Sequence, residues 1–162
     1  MDLAPNVPEE ARRYLDQAYS AHMNGRLDEA ITLYKESIAI YPTAEAHTFL
    51  GWAYRMQRRW EEAIAECHIA IRVDPDFGNP YNDIGAYLVE LGQLEEAIVW
   101  FERAKQAARY EPQHYPHLNL SHIHMKRNDI NAAVRELRAV VEIEPAHAAA
   151  RRELHRLLGM LN

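Results

Sequence analysis

Small and apolar residues return along this chain at a long, nearly fixed period. Ala30, Ala63, Ala97 and Ala133 stand in similar surroundings 33, 34 and 36 residues apart, each preceded five residues earlier by Gly25, Arg58, Gly92 or Asn128. Periods of about 20–50 residues mark stacked-repeat architectures, in which each unit buries its apolar face against its neighbours. Gly and Asn tolerate the left-handed backbone that ends a helix, so the Gly25 column reads as a helix stop. Arg58 is the misfit, and predicts a strained or differently built turn. An apolar residue follows each stop at Leu27, Trp60, Leu94 and Ile130, and in three copies an acidic pair comes next: Asp28-Glu29, Glu61-Glu62 and Glu95-Glu96. Acids in a first turn complement the helix dipole, so a second helix begins there. The units close at Tyr41-Pro42, Asp74-Pro75, Glu111-Pro112 and Glu144-Pro145, because proline disfavours helical backbone in the residue before it.

The pattern predicts nine helices, four antiparallel pairs and a last one, with no β-strand. Ala104–Tyr110 keeps a helical composition with no proline before Pro112, so the second helix of the third pair is expected to run longer than its counterparts. His147–Leu161 sets Leu154, Leu157, Leu158 and Leu161 on one stripe and Arg151, Arg152, Glu153 and Arg156 on the other face. That is the pattern of a solvating cap on the open end of a stack. Residues 1–10, with Pro5 and Pro8, read as a short leader and a helix start.

These columns resemble the tetratricopeptide-repeat family, whose repeat of about 34 residues carries W-x₂-L-G-x₂-Y, then A-x₃-F, then P. The second copy reads His47, Leu50-Gly51, Tyr54, Ala63, Cys67, Ala70, Pro75, and the third Tyr81, Ile84-Gly85, Leu88, Ala97, Phe101, Ala104 with its proline delayed to Pro112. The first gives Tyr14, Gln17-Ala18, Ala21, Ala30, Tyr34, Ser37, Pro42, and the fourth His117, Leu120-Ser121, His124, Ala133, Leu137, Val140, Pro145. The resemblance covers about residues 11–147. It implies an all-α, right-handed α-solenoid of four tetratricopeptide-type helix-turn-helix repeats (about 11–43, 44–77, 78–113 and 114–147) and a C-terminal capping helix over 148–162. Ala18, Gly51, Gly85 and Ser121 are small, as they must be where paired helices approach within about 8–10 Å.

The resemblance also implies that a protein or peptide partner binds a concave groove lined by the first helix of each pair. On a helix with 100° per residue, His47, Leu50, Gly51 and Tyr54 share a packing side, while Glu45, Phe49, Trp52 and Met56 lie opposite and face the groove. The same projection gives Arg12, Asp16, Tyr19 and Met23, then Asn79, Asp83, Ala86 and Glu90, then Tyr115, Asn119, His122 and Lys126; His22, Thr48, Arg55, Asn82 and Met125 lie at the margins. The candidate binding residues are Tyr19, Met23, Phe49, Trp52, Arg55, Met56, Asn82, Asp83, Tyr115, Asn119, His122 and Lys126. Aromatic and methionine side chains are favoured interface anchors, which makes Tyr19, Phe49 and a mostly exposed Trp52 the candidate hot spots. The competing reading is that the next repeat partly covers these aromatics. Asn82 and Asn119 carry two-way amides that suit a peptide backbone, or water alone. Chaperone-binding members clamp a terminal carboxylate with lysines, an arginine and asparagines. The corresponding positions here are Leu15, Tyr19, Phe49, Asn79 and Asp83, so that ligand is not expected.

Charge and composition narrow the remaining classes. A net charge of −6 disfavours nucleic acid, whose binding draws on clustered Lys and Arg. No run reaches the ~18 apolar residues of a membrane span, and Met1-Asp2-Leu3-Ala4-Pro5 shows no secretory signal. The single cysteine, Cys67, suits a reducing compartment, and the cytoplasm is expected. His114, His117, His122 and His124 invite a metal reading. His117 and His124, like His47, nevertheless fill the family's aromatic packing slots, and no carboxylate or cysteine stands at ligand spacing beside them. Cys67 fills a phenylalanine slot and is expected to be buried. Without a nucleophile elbow, phosphate loop or HExxH, neither an enzyme nor a cofactor is expected. Two functions remain: a protein- or peptide-binding adaptor or scaffold using the groove, and a self-assembling module that forms homo-oligomers through the groove or the stack ends.

Overall fold

The structure is a computed structural model and describes residues 5–110 and 112–161; the first four residues of the expected leader, Glu111 of the third closing turn and the terminal Asn162 lie outside it. Nine helices are present among the described residues: α1 Glu9–Met23, α2 Leu27–Ile40, α3 Ala44–Met56, α4 Trp60–Val73, α5 Asn79–Glu90, α6 Leu94–Gln106, α7 His114–Lys126, α8 Ile130–Ile143 and α9 Ala148–Met160. The closest packing is within the pairs α1/α2, α3/α4, α5/α6 and α7/α8. Each second helix then rests on the next first helix, and α1, α3, α5 and α7 also touch in succession. The first helices are thereby drawn together along one face.

The turns inside the pairs share one conformation. Gly25 and Gly92 have φ of 76° and 77°, and Arg58 and Asn128 have 60° and 59°. The Arg58 turn is thus strained but not differently built. A non-glycine residue in this region carries a cost of about 1–2 kcal/mol from its Cβ. Arg58→Gly is expected to raise the unfolding free energy by roughly 0.5–1 kcal/mol in urea titration, the strain relief being offset in part by the looser unfolded chain. Equal or lower stability would place the strain elsewhere.

The second helices start by two devices. Arg26, Arg59 and Gln93 give no side-chain cap, and the acidic pairs stand in the first turns of α2, α4 and α6. In α8 the pair is missing, and Asp129 instead accepts a hydrogen bond from the Ala132 amide. Either arrangement sets negative charge against unpaired amides.

The interior is built from the repeat columns. Ala18, Ala30, Tyr34, Leu50, Ala63, Cys67, Ile84, Ala97, Phe101 and Leu120 are buried in one core cluster, while Leu137, Val140 and Leu157 belong to a second one under α9. A Cβ on Gly51 would lie 3.1 Å from the Ala63 carbonyl oxygen, and one on Gly85 would lie 2.6 Å from the Phe101 ring. The small column is small because a helix backbone presses against the partner's large residue.

The expected long second helix of the third pair does not form. α6 ends at Gln106 with 13 residues, Ala107 turns extended (φ −67°, ψ 132°), and the chain runs back along the turn between the second and third pairs. Arg109 donates its amide to the Asp76 carbonyl at 2.8 Å and accepts from the Gly78 amide at 2.9 Å, the one isolated β-bridge among the described residues. Its guanidinium lies 4.4 Å over the Phe77 ring and pairs with Glu45 at 2.9 Å and Asp74 at 2.5 Å. Tyr110 is buried over Gly78, where an added Cβ would come within 2.4 Å of it. These contacts outweigh a helical preference of a few tenths of a kcal/mol per residue, so the extra residues of the 36-residue spacing become a strap.

Candidate functional site

All twelve candidate residues lie on the first helices: Tyr19 and Met23 on α1, Phe49, Trp52, Arg55 and Met56 on α3, Asn82 and Asp83 on α5, and Tyr115, Asn119, His122 and Lys126 on α7. Tyr19, Met23, Met56 and Tyr115 are exposed, at 38%, 68%, 53% and 45%. Arg55, His122 and Lys126 are also exposed, while Phe49, Trp52, Asn82, Asp83 and Asn119 are half-buried. The four positions of the packing set, His47, Leu50, Gly51 and Tyr54, are buried.

Three details differ from the sequence reading. Trp52 is not mostly exposed: its ring lies 4.9 Å from Phe49 and its indole N–H donates to Asp83 on the neighbouring first helix. Glu45 does not line an open groove, because the Arg109 strap covers it and leaves it 8% exposed. His22 and Thr48, placed at the margin, are buried; the His22 ring reaches the Tyr34 hydroxyl at 3.2 Å and the Met56 sulfur at 3.0 Å. Projection from one helix locates a face but cannot show what the next helix lays across it.

Tyr19, Phe49 and Trp52 form a continuous aromatic row, with Tyr19 5.6 Å from Phe49. The row ends at a cleft of about 380 Å³ walled by His22, Trp52, Arg55, Met56, Asp83, Ala86 and Tyr87. Burial pushes the Asp83 carboxyl up to about 7, against the opposing pull of the Trp52 N–H, Arg55 and Asn82. Burial also lowers the His22 imidazole, which favours its neutral form. Beyond the cleft the face turns polar: Asn119 donates to the Asn82 side-chain oxygen at 3.0 Å. Partial desolvation of its ring, helped by Lys126, lowers the His122 imidazole against the pull of Glu153 of α9, itself paired to Arg156 at 2.6 Å.

The Asp83 shift has a definite consequence for stability. A folded-state value near 7 lies above the ordinary ~3.9, so the folded chain holds this proton more tightly than the unfolded one. Stability then falls as pH rises between those two values, and the cost of the charged form is in full force above about 7. Asp83→Asn cannot ionise. It is expected to gain about 1–3 kcal/mol over the wild type between pH 5 and pH 8, a range discounted for partial exposure. Urea unfolding of both proteins at both pH values measures this, and a pH-independent difference would show Asp83 to be ordinarily solvated.

Two of the histidines are held by carboxylates of the paired helix. His47 pairs with Glu66 at 2.7 Å and His117 with Glu136 at 2.6 Å, each carboxylate coming from the second helix 19 residues on. Lys105 completes the second cluster at 3.2 Å from Glu136, whose carboxyl is held below its ordinary value by His117 and Lys105 against its own burial. Spacing along the histidines' own helix does not show either partner, because each carboxylate is brought in by the packing of the second helix. His114 lies 5.4 Å from His147, ring to ring, and among the described residues no group of three or more His, Cys, Asp or Glu is placed to hold a metal ion. Cys67 is buried, and burial holds its thiol well above the ordinary value.

A stack of helix pairs with small-to-large contacts inside each pair and a face of first helices defines an α-helical repeat protein. The tetratricopeptide repeat profile matches residues 3–45, 24–76 and 50–112, and a second tetratricopeptide repeat profile matches 116–147. The chain belongs to the tetratricopeptide-repeat family, whose repeats are protein-interaction modules. The protein O-mannosyl-transferase Tmtc1 of Drosophila melanogaster is 32% identical over 111 residues, 64% of this chain and 13% of that protein. The inactive TPR repeat-containing thioredoxin TTL3 of Arabidopsis thaliana is 32% identical over 91 residues, 56% of this chain and again 13% of the relative. The chain thus spans about an eighth of the length of these relatives. Among solved structures, that of Pseudomonas aeruginosa PilF aligns with a TM-score of 0.84 at 20% identity, over 94% of this chain and 69% of that one. The second tetratricopeptide domain of Spaghetti (RPAP3), bound to the HSP90 peptide SRMEEVD, aligns with a TM-score of 0.58 at 26% identity, over 61% of this chain and 93% of that one.

Proposed function

We propose that this chain is a protein- or peptide-binding adaptor that holds its partner along the face of the first helices and carries out no catalysis of its own. The observation that supports this reading is the row of exposed or half-buried Tyr19, Met23, Phe49, Trp52, Met56 and Tyr115 on that one face. Methionines adapt to varied partners and aromatics bury much area at low entropic cost. Repeats at 11–43, 44–77, 78–113 and 114–147, with a cap over 148–162 built on α9, provide the platform, and the cytoplasm is its proposed setting. No helix among the described residues is long and apolar enough to cross a membrane. The peptide seated on the Spaghetti domain is an example of what this fold can hold. A terminal carboxylate is not the ligand proposed here, because Phe49 and Asp83 stand where the clamp's polar and cationic groups would be needed.

The exposed Tyr19, Met23, Met56 and Tyr115 also offer a second copy of this chain a seat on the same face, which supports a second reading, self-association. Selection of a displayed random-peptide library on the purified chain, with light scattering of the free protein, separates the two. Peptides that lose at least ~tenfold in affinity when Met23 and Met56 are both changed to serine are expected of an adaptor, because each anchor contributes upward of ~1 kcal/mol. Selected peptides indifferent to those changes would overturn the groove. A dimer that the same Met23 and Met56 changes dissociate would support self-assembly instead.

A further inference from the structure

We propose that the cleft between α3 and α5 is a specificity pocket for a basic side chain of the bound partner, a lysine or arginine whose stem lies along Trp52 and Met56 and whose cationic head meets the Asp83 carboxylate. The inference rests on the adaptor reading and adds the chemistry of the ligand. Four observations carry it.

The pocket exists because one residue is small. Along the row of equivalent positions Tyr19, Trp52, Ala86 and His122, the alanine alone leaves a gap between bulky neighbours, and the cleft of about 380 Å³ opens there. Asp83 lies at this gap. Glu45 and Asp74 are paired with Arg109, Glu66 with His47, and Glu136 with Lys105 and His117, but among the described residues no ion pair neutralises Asp83. A desolvated carboxylate held by the neutral N–H donors of Trp52 and Asn82, with Arg55 pulling on it but forming no ion pair, is costly to keep charged, and it is complementary to an incoming cation. The hydroxyl of Tyr87, which also lines the cleft, is buried and has no hydrogen-bond partner among the described residues. It is a second oxygen ready to accept from an ammonium or guanidinium. Finally, the walls suit the stem: an indole face attracts a cation, the Met56 thioether covers methylenes, and His22 behind it tends to stay neutral. Arg55 sits exposed at the mouth, forms no ion pair of its own among the described residues, and opposes an entering cation.

The test follows the Trp52 indole N–H by nitrogen-15 NMR in the full chain. The probes are acetylated, amidated heptapeptides Ala-Leu-Ala-X-Ala-Leu-Ala with X lysine, arginine, norleucine or glutamate. The lysine and arginine peptides are expected to saturate the shift at concentrations at least ~tenfold below the norleucine peptide, as a close charge pair contributes more than a matched apolar stem. Asp83→Asn, whose fold the same spectrum checks, is expected to bring lysine and norleucine level. Ala86→Leu should fill the pocket and abolish the preference, and Arg55→Ala should strengthen the lysine peptide. Norleucine matching lysine in the wild type, or a lysine preference that survives Asp83→Asn, overturns the pocket. Peptides that shift first-helix residues without any basic preference leave the groove reading standing and sink this inference alone. If no peptide perturbs any first-helix residue, both fail.

Discussion

Phe101→Ala is expected to remove about 3–5 kcal/mol of unfolding free energy, the usual cost of truncating a fully buried aromatic ring. Phe101 is buried completely in the core of the third pair, with its ring against the backbone of Gly85. The two residues are one device: the missing side chain on α5 is the space the ring occupies. Gly85→Ala would place a Cβ 2.6 Å from the ring, so it should cost about 1–3 kcal/mol by overpacking although alanine is the better helix former. The combination separates packing from propensity. In a Phe101→Leu background the alanine should cost much less, a coupling of about 1 kcal/mol or more in a double-mutant cycle from urea titrations. Additive losses would mean that the ring and the glycine do not share space.

This pair was legible in the sequence, and the reason is physical. A repeat stack reuses one contact at one spacing, so Gly85 against Phe101 and Gly51 against Cys67, with Ala18 and Tyr34 at the same spacing in the same core, announce themselves as columns. The helix stops were legible for the same reason, down to Arg58, whose column fixed its backbone when its own preference did not. What the period does not repeat stayed hidden. The strap through Arg109 occurs once, and its partners Glu45, Asp74 and Phe77 lie 32 to 64 residues away in chain order, where local composition favoured more helix. The candidate site was half legible. The twelve residues lie on the first helices, but the depth of each depends on the neighbouring first helix, and the Trp52 bond to Asp83 joins positions 31 apart.

That bond changes what Trp52 is expected to do. A freely exposed indole could be truncated within about ±0.5 kcal/mol. Here the ring is half-buried against Phe49 and its N–H caps a desolvated carboxylate, so Trp52→Ala is expected to cost about 2–3 kcal/mol, below the range for full burial. Trp52→Phe divides the loss: the ring area stays, and Asp83 loses its donor. The phenylalanine variant should lose about 1–2 kcal/mol at pH 8, where Asp83 is mostly charged, and less at pH 5, where it is mostly protonated and needs the donor less. Urea unfolding of both variants at both pH values measures this. A pH-independent loss for Trp52→Phe would show that the indole N–H does not serve the carboxylate. Because Trp52 is both wall and support, weaker binding by Trp52→Ala cannot by itself mark a contact with a partner. Asp83→Asn is the cleaner probe of the same place, because it is expected to strengthen the fold and weaken the ligand, and a misfolding variant cannot do both.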